Sequence, residues 1–446
     1  APVRLAAAGD PAEVGEWSAP FTPHNITAVH AVLLHTGKVL ILRDTDAYIW
    51  DPLTSDATEI DLVEDNFCAG QAVTDNGDVL FAGGVLDEFG HGPRWTYTFR
   101  PKTGEWTKGP DMARGRWYPS ATSLHDGRIL LIGGKLEEGG INDDMEVWND
   151  GTITKVGTRS MATYPHMFLM PSGKLLVAGT GVEDSFYIRP SKGFSVHALP
   201  RLWVRGVKGR ARSGTLLPGP PSGCTRVMMA GGAAQTDGGS TVEIFDTAAA
   251  SPTWVRKNPL PEDRQHMNVV ILPDGQLLGI GGDNEAGPTK MSLMYDQDTD
   301  VWRPLAEQSF PRAYHSTGIL LPDGRVMSGG DTADDGGGSS LEVYSPPYLF
   351  KGPRPTITSA PKKVGYGQQF EVVTPDDIDR VVLMRPNAVT HTCEMNARHV
   401  ELAFTPTTGG VQVTSPPSRL VAPAGYYMLF LLNELGVPSV AKWIRL

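Results

Sequence analysis

Five side chains able to bind a metal or carry an electron stand at one fixed step from a repeated turn. Nine residues before Gly77 is Cys68, nine before Gly127 is Tyr118, and nine before Gly324 is His315. The same step leads from Gly173 to Tyr164 and from Gly275 to His266, whereas Gly37 leads to Ala28. The fifth copy has an irregular turn, LLPGPPSGC, and aligns only roughly, which brings Arg212 near the equivalent place. Tyr314, beside His315, adds another phenol. Imidazole nitrogens with oxygen donors in tetragonal geometry suit Cu(II). A phenol, with an ordinary pKa of about 10, needs a cation beside it to ionise at neutral pH. Two accounts fit such a ring: a metal centre, or hydrogen bonding that closes a channel.

The positioning elements are seven copies of a glycine-centred turn followed by an apolar run: HTGKVLILRD, DNGDVLFAGG, HDGRILLIGG, PSGKLLVAGT, GCTRVMMAGG, PDGQLLGIGG and PDGRVMSGG. Their spacing of roughly 40–50 residues is that of propeller blades of the kelch type. Equivalent residues of distant blades then meet around one axis. A third strand follows each copy (AYIWDP, WTYTFRP, MEVWND, SFYIRP, TVEIFD, SLMYDQ, SLEVYSP), and several are followed by a fourth. After SLEVYSP no fourth strand appears, and GEWSAPF around Trp17 has the missing pattern. The expectation is a ring closed by pairing an N-terminal strand into the last blade, which removes exposed edges. The blade pattern fills residues 1–350; KGPRP reads as a linker. In residues 351–446 alternating segments such as QFEVVT, RVVLMRP and HVELAFT predict a small antiparallel sandwich. The predicted fold is all-β: a seven-bladed kelch-type β-propeller followed by a C-terminal immunoglobulin-like β-sandwich.

Composition narrows the function classes. The 446 residues carry a net charge of -11 with no basic stripe, which argues against a nucleic-acid partner. No apolar run approaches the roughly 20 residues that span a bilayer, so no transmembrane segment is expected. Gly 51 and Pro 36 fall at turns between apolar runs, the composition of a turn-rich β fold. The opening APVRLAAAGD resembles a mature chain after signal removal, so a secreted or cell-surface location is expected, as is a monomer. Three cysteines, Cys68, Cys224 and Cys393, leave at least one outside any internal disulfide. Cys224 is expected to pack in a strand; Cys393, two residues from His391, is either buried near it or an inert core thiol, and the latter is preferred.

The segments NFCAG (66–70), RGRWYPSAT (114–122), RAYHS (312–316) and THTCEMNAR (390–398) resemble the four active-site motifs of the copper radical oxidases, the galactose oxidase and glyoxal oxidase family. The resemblance spans nearly the whole chain, and RWYP is closer to the glyoxal oxidases. It implies one copper per chain, held by Tyr118, Tyr314, His315 and His391. It also implies a thioether joining Cys68 to Tyr118, making a protein-derived Cys-Tyr radical cofactor. Tyr314 would be the axial phenolate and the general base. His391 lies in the C-terminal domain, so a loop of that domain must reach the propeller axis. The implied partners are a small aldehyde or alcohol substrate and O2, with hydrogen peroxide released. Glyoxal- or glycolaldehyde-like substrates lead, and a galactose oxidase-like primary alcohol or sugar oxidase is the alternative.

One position departs from the pattern. Galactose oxidase stacks a Trp on the crosslinked pair from just after the paired glycines of this blade, where this chain has Leu136. Trp117, Trp95 and Trp203 are the candidate shields. Tyr164, Arg212 and His266 could shape the substrate pocket. The rival from another class is a non-catalytic kelch propeller that binds protein or glycan through its loops.

Overall fold

The computed structural model describes residues 9–179, 185–202, 212–232, 239–330, 338–394 and 396–446. Among the described residues seven antiparallel sheets form the blades of a propeller, six of them four-stranded and the first extended to six strands. The innermost strands, in chain order, are His30–Leu33, Gly70–Val73, Ser120–Ser123, His166–Leu169, Ser213–Leu216, Asn268–Ile271 and Ser316–Leu320. Each inner strand and the apolar strand after it are buried on both faces, because neighbouring blades cover them. The outermost strands face water, as in Ala57–Asp61, where no residue is buried and Thr58, Glu59 and Asp61 are exposed. At the turns between the first two strands, Gly37, Gly77, Gly127, Gly173, Gly275 and Gly324 have φ between 77° and 92°, a region glycine enters freely.

The ring closes through the N-terminus. Strand Glu16–Trp17 pairs with Leu341–Ser345 of blade 7, setting Trp17 opposite Tyr344. Their rings lie 5.0 Å apart, and the Trp17 indole donates to Ala306 O at 3.0 Å.

Blades 3, 5 and 7 share a buried ion pair. Arg116–Glu146 and Arg212–Glu243 both lie at 2.7 Å, and Arg312–Glu342 at 3.3 Å; all six side chains are shut off from water. Each arginine also donates to carbonyls of its own blade, which anchors the segment entering the inner strand.

The C-terminal unit is a sandwich of a three-stranded and a four-stranded sheet. The linker is pinned to it, since Arg354 donates to Pro438 O and Ser439 O at 2.8 Å. From this sandwich the hairpin Ala388–Thr390 and Cys393–Glu394 runs into the propeller. Its first strand pairs with His30–Leu33, so blade 1 becomes a six-stranded sheet. Glu394 ties the hairpin together by accepting from the backbone N–H groups of Ala388 (2.7 Å) and Asn396 (2.6 Å). Among the described residues no helix is long and apolar enough to cross a membrane.

Candidate metal centre on the propeller axis

Four of the six residues nine before the turn glycines occupy an unusual backbone conformation. Cys68 (φ 61°), Tyr118 (φ 65°), Tyr164 (φ 46°) and His266 (φ 53°) are all left-handed, which costs about 1–3 kcal/mol for each such residue. In blades 2 to 4 the twist turns each N–H sideways toward the preceding blade. Tyr118 N donates to Cys68 O (3.0 Å) and Tyr164 N to Tyr118 O (2.9 Å). The ring positions are therefore chained head to tail, and their side chains face the axis.

Cys68, Tyr118, Tyr164 and Cys393 pack as one buried cluster, with Phe67, Trp117 and Tyr314 against it. The Tyr314 hydroxyl lies 2.8 Å from the Tyr118 hydroxyl. The Tyr118 ring stands edge-on to His391 at 5.1 Å, and the His315 and His391 rings are 4.7 Å apart. One ligand atom each from Cys68, His315 and His391 lies within 4.8 Å of the others. His391 arrives on the tip of the sandwich hairpin, itself left-handed at φ 50°.

The tautomer of His391 follows from its neighbours. Thr390 Oγ1 donates its one hydrogen to Val29 O (3.1 Å), so toward His391 Nδ1 at 2.6 Å it accepts. Nδ1 then carries the ring hydrogen. The lone pair of Nε2 faces the cluster, 3.1 Å from Cys68 Sγ. An imidazole oriented this way is prepared to ligate a cation. Burial, then the adjacent Cys68 thiol and Tyr314 phenol, push the Tyr118 phenol far above its ordinary value. Burial also raises the thiol of Cys68. Two phenols, two imidazoles and a sulfur thus converge in one pocket, whose burial favours the neutral forms of Tyr118 and Cys68. A bound cation is what would ionise the phenols, and the donor set fits copper.

Around this centre several expectations need revision. Arg212 does not point at the axis; its guanidinium is consumed by Glu243, Gly231 O and Met229 O. It is the blade-5 counterpart of Arg116 and Arg312, which sequence alignment through an irregular turn did not reveal. The signal was present, as MEVWND, TVEIFD and SLEVYSP each carry the pairing glutamate. Cys393 is no remote core thiol but a member of the cluster itself. Cys224 is buried in the loop before strand Arg226–Ala230, with Sγ 3.1 Å from His399 O.

Trp117 packs on Tyr118 at 4.4 Å between ring centres, tilted by 55°. Its outer edge is covered by the backbone of Gly90 (φ 75°), where any Cβ would fall 2.0 Å from the indole. Leu136 is buried beside this arrangement, Trp95 is half-buried, and Trp203 lies outside the described residues. Tyr164 is buried edge-on to Tyr118 at 5.0 Å and donates its hydroxyl to Ala69 O. His266 packs on Tyr314 at 4.8 Å, with Nδ1 held by Asp283 at 2.9 Å. Phe67, Trp117, Tyr314 and His315 are the half-buried members, so the centre opens on an aromatic face. His30, which the ring count passed over, touches the centre from blade 1: its Nε2 accepts from Cys68 N at 3.1 Å. Burial holds this imidazole at about 4, so it is neutral at ordinary pH.

Comparison with known proteins follows the same lines. Residues 44–336 match the family model described as glyoxal oxidase N-terminus, and residues 354–446 match the galactose oxidase-like, early set domain. The chain is 28% identical to aldehyde oxidase GLOX1 of Arabidopsis thaliana, covering 88% of this chain and 73% of that protein. It is 27% identical to galactose oxidase of Gibberella zeae, covering 97% and 70%. Among solved structures, a fungal alcohol oxidase of the AA5 family in complex with copper superposes with a TM-score of 0.84 at 23% identity, over 97% of this chain and 100% of that one.

Proposed function

Because the chain belongs to the glyoxal oxidase and galactose oxidase family of copper radical oxidases, we propose that it oxidises small aldehydes of the glyoxal or glycolaldehyde kind. Electrons pass to dioxygen, which leaves as hydrogen peroxide. The observation that carries this reading is the 2.8 Å contact between the Tyr118 and Tyr314 hydroxyls beside the Nε2 lone pair of His391. Tyr118, Tyr314, His315 and His391 would hold the copper. When bound, copper supplies a one-electron redox partner and an open position for the substrate oxygen.

The chain's own residues do the rest. The Cys68 sulfur joins a ring carbon of Tyr118, which lowers the energy needed to oxidise the phenol and keeps its radical in place. Tyr314 takes the proton of the substrate hydroxyl, in an aldehyde the hydroxyl of its hydrate. Tyr118 takes the hydrogen atom from the substrate carbon. In sum the substrate loses two electrons and two protons, and dioxygen gains them. Trp117, tilted on Tyr118, screens the phenol from water, the task of a residue that Leu136 cannot perform. His266, held by Asp283 and packed on Tyr314, shapes the mouth. Every one of these residues comes from a single chain, so the donor set needs no residue of a second copy to be complete.

The aldehyde preference rests on RWYP around Tyr118 and on aldehyde oxidase relatives such as that of Arabidopsis thaliana. The aromatic face at Phe67, Trp117 and Tyr314 suits a small substrate better than a sugar, which asks for polar partners. A peroxide-coupled screen of copper-loaded protein against aldehydes, polyols and sugars tests this. Aldehydes should give the highest kcat/KM; a higher value for sugars would move the substrate class, and silence toward all three with copper bound would reject the activity.

One observation favours a second reading. Cys68, His315 and His391 alone form a thiol and two imidazoles within 4.8 Å, the donor set of an electron-transfer copper site. In that case the thiol would remain a free ligand and no thioether would form.

A further inference from the structure

We infer that His30, braced by Gln71, is a positioning residue for the Cys-Tyr cofactor: it fixes the backbone of Cys68 in the conformation from which sulfur reaches Tyr118. The inference rests on the proposed thioether and concerns how the chain makes it.

The hydrogen-bond logic leaves one arrangement. Cys68 N lies 3.1 Å from His30 Nε2, and a backbone N–H can only donate. Nε2 is therefore the acceptor, and the ring hydrogen sits on Nδ1. Nδ1 in turn faces Gln71 Oε1 at 3.1 Å, an acceptor well matched to it. All three residues are buried, with His30 and Cys68 at 0% exposure and Gln71 at 5%, so water offers no substitute partner.

Comparison among the blades shows why an imidazole is needed here. In blades 3 and 4 the ring residue's N–H is accepted by the carbonyl of the preceding ring residue. Blade 2 follows blade 1, whose ring residue is Ala28, and Ala28 O accepts from Thr317 of blade 7 instead. Blade 1 is also the blade that receives the sandwich hairpin, with His30 set opposite Thr390. The His30 imidazole takes the place of the missing carbonyl. By the same strand pairing it sits beside Thr390, whose hydroxyl orients His391. One residue thus locates both the sulfur to be joined and the hairpin that carries a ligand.

Without that acceptor, the N–H of Cys68 is buried and orphaned, and a left-handed φ of 61° loses the bond that holds it. The backbone then relaxes toward negative φ and carries Sγ away from the Tyr118 ring. Thioether formation makes one S–C bond and breaks the Cys68 S–H and one ring C–H of Tyr118. The two electrons and two protons go to dioxygen as hydrogen peroxide.

The test uses full-length chain produced without copper, then given copper in air. The crosslinked fraction is followed by intact mass after denaturation and thiol alkylation, as the crosslinked chain is lighter by two hydrogens and has one thiol fewer to alkylate. Wild type, His30→Ala, His30→Asn and Gln71→Leu are compared, with copper content measured on each. We expect His30→Ala to crosslink at least tenfold more slowly at equal copper content. His30→Asn, whose amide oxygen can accept, should recover part of the rate, and Gln71→Leu should fall between wild type and His30→Ala. Should His30→Ala fail to fold, Gln71→Leu against wild type carries the test, with an unchanged rate counting against us. Crosslinking of His30→Ala at the wild-type rate, or His30→Asn no faster than His30→Ala, overturns the inference alone. Wild type that never loses the hydrogens overturns the proposed thioether and this inference with it.

Discussion

Tyr314→Phe separates the proton-transfer role of this residue from its structural one. The substitution removes a single oxygen and keeps a ring that packs on His315 at 4.4 Å, His266 at 4.8 Å and His391 at 5.0 Å. What is lost is the 2.8 Å hydrogen bond to Tyr118, worth about 1 kcal/mol net, and the acceptor for the substrate proton. A positioned general base contributes roughly 10²–10⁴ in rate, or about 3–5 kcal/mol of barrier. The second loss outweighs the first several-fold, so turnover should collapse while fold and metal survive. Tyr118, His315 and His391, the other proposed ligands, are left intact. The assay pairs peroxide-coupled turnover with copper content and intact mass on one preparation. The expected result is near-full copper, a formed thioether and turnover lowered by about 10² or more. Wild-type turnover, or copper lost in proportion to activity, would refute the base assignment.

Three further outcomes are expected. His391→Ala should abolish peroxide production although the sandwich still folds, because residue 391 sits on a hairpin tip outside the sandwich sheets; wild-type turnover contradicts the ligand assignment. Glu342→Gln leaves the Arg312 guanidinium buried without a counter-charge, at a cost of about 3–5 kcal/mol, read by calorimetric or urea unfolding; a loss under about 1 kcal/mol contradicts it. Stability should also fall on acidification. Burial holds His30, His166 and His399 each at about 4 against an ordinary 6.5, so the unfolded chain takes up protons the fold refuses, costing about 3 kcal/mol for each by pH 4. Asp274, raised to about 6, and Glu394, raised to about 7, act in the opposite sense, since the fold keeps their protons where the unfolded chain has released them. The three imidazoles outweigh the two carboxyls, for a net loss of about 3 kcal/mol between pH 7.5 and 4. An unfolding midpoint that rises as pH falls through this range contradicts the balance.

The blades were legible because each turn glycine needs a positive φ and each inner strand is buried on both faces, which leaves a repeat in the letters themselves. Trp17 was legible by subtraction, as a strand missing at one end and present at the other. The meeting of Cys68, Tyr118 and His315 followed from equal distances to equivalent turns. Arg212 was misassigned because the fifth turn is irregular and a count cannot cross it. The left-handed backbone at Cys68, Tyr118, Tyr164 and His266 has no letter code, since these residues are not glycine, and the first three are held there by bonds to the preceding blade. His30 and Cys393 were missed for a related reason. His30 stands two residues past the ring position of blade 1 and touches the centre through its bond to Cys68, and Cys393 arrives on the sandwich hairpin paired with blade 1, a contact between segments more than 300 residues apart in sequence.

Peptide mapping of the copper-loaded wild-type chain by mass spectrometry tests the central claim most directly. One linked species containing the peptides of Cys68 and Tyr118 is expected, lighter than their sum by two hydrogens and absent in Cys68→Ser. Recovery of both peptides unlinked, after copper and air have been supplied, would contradict it.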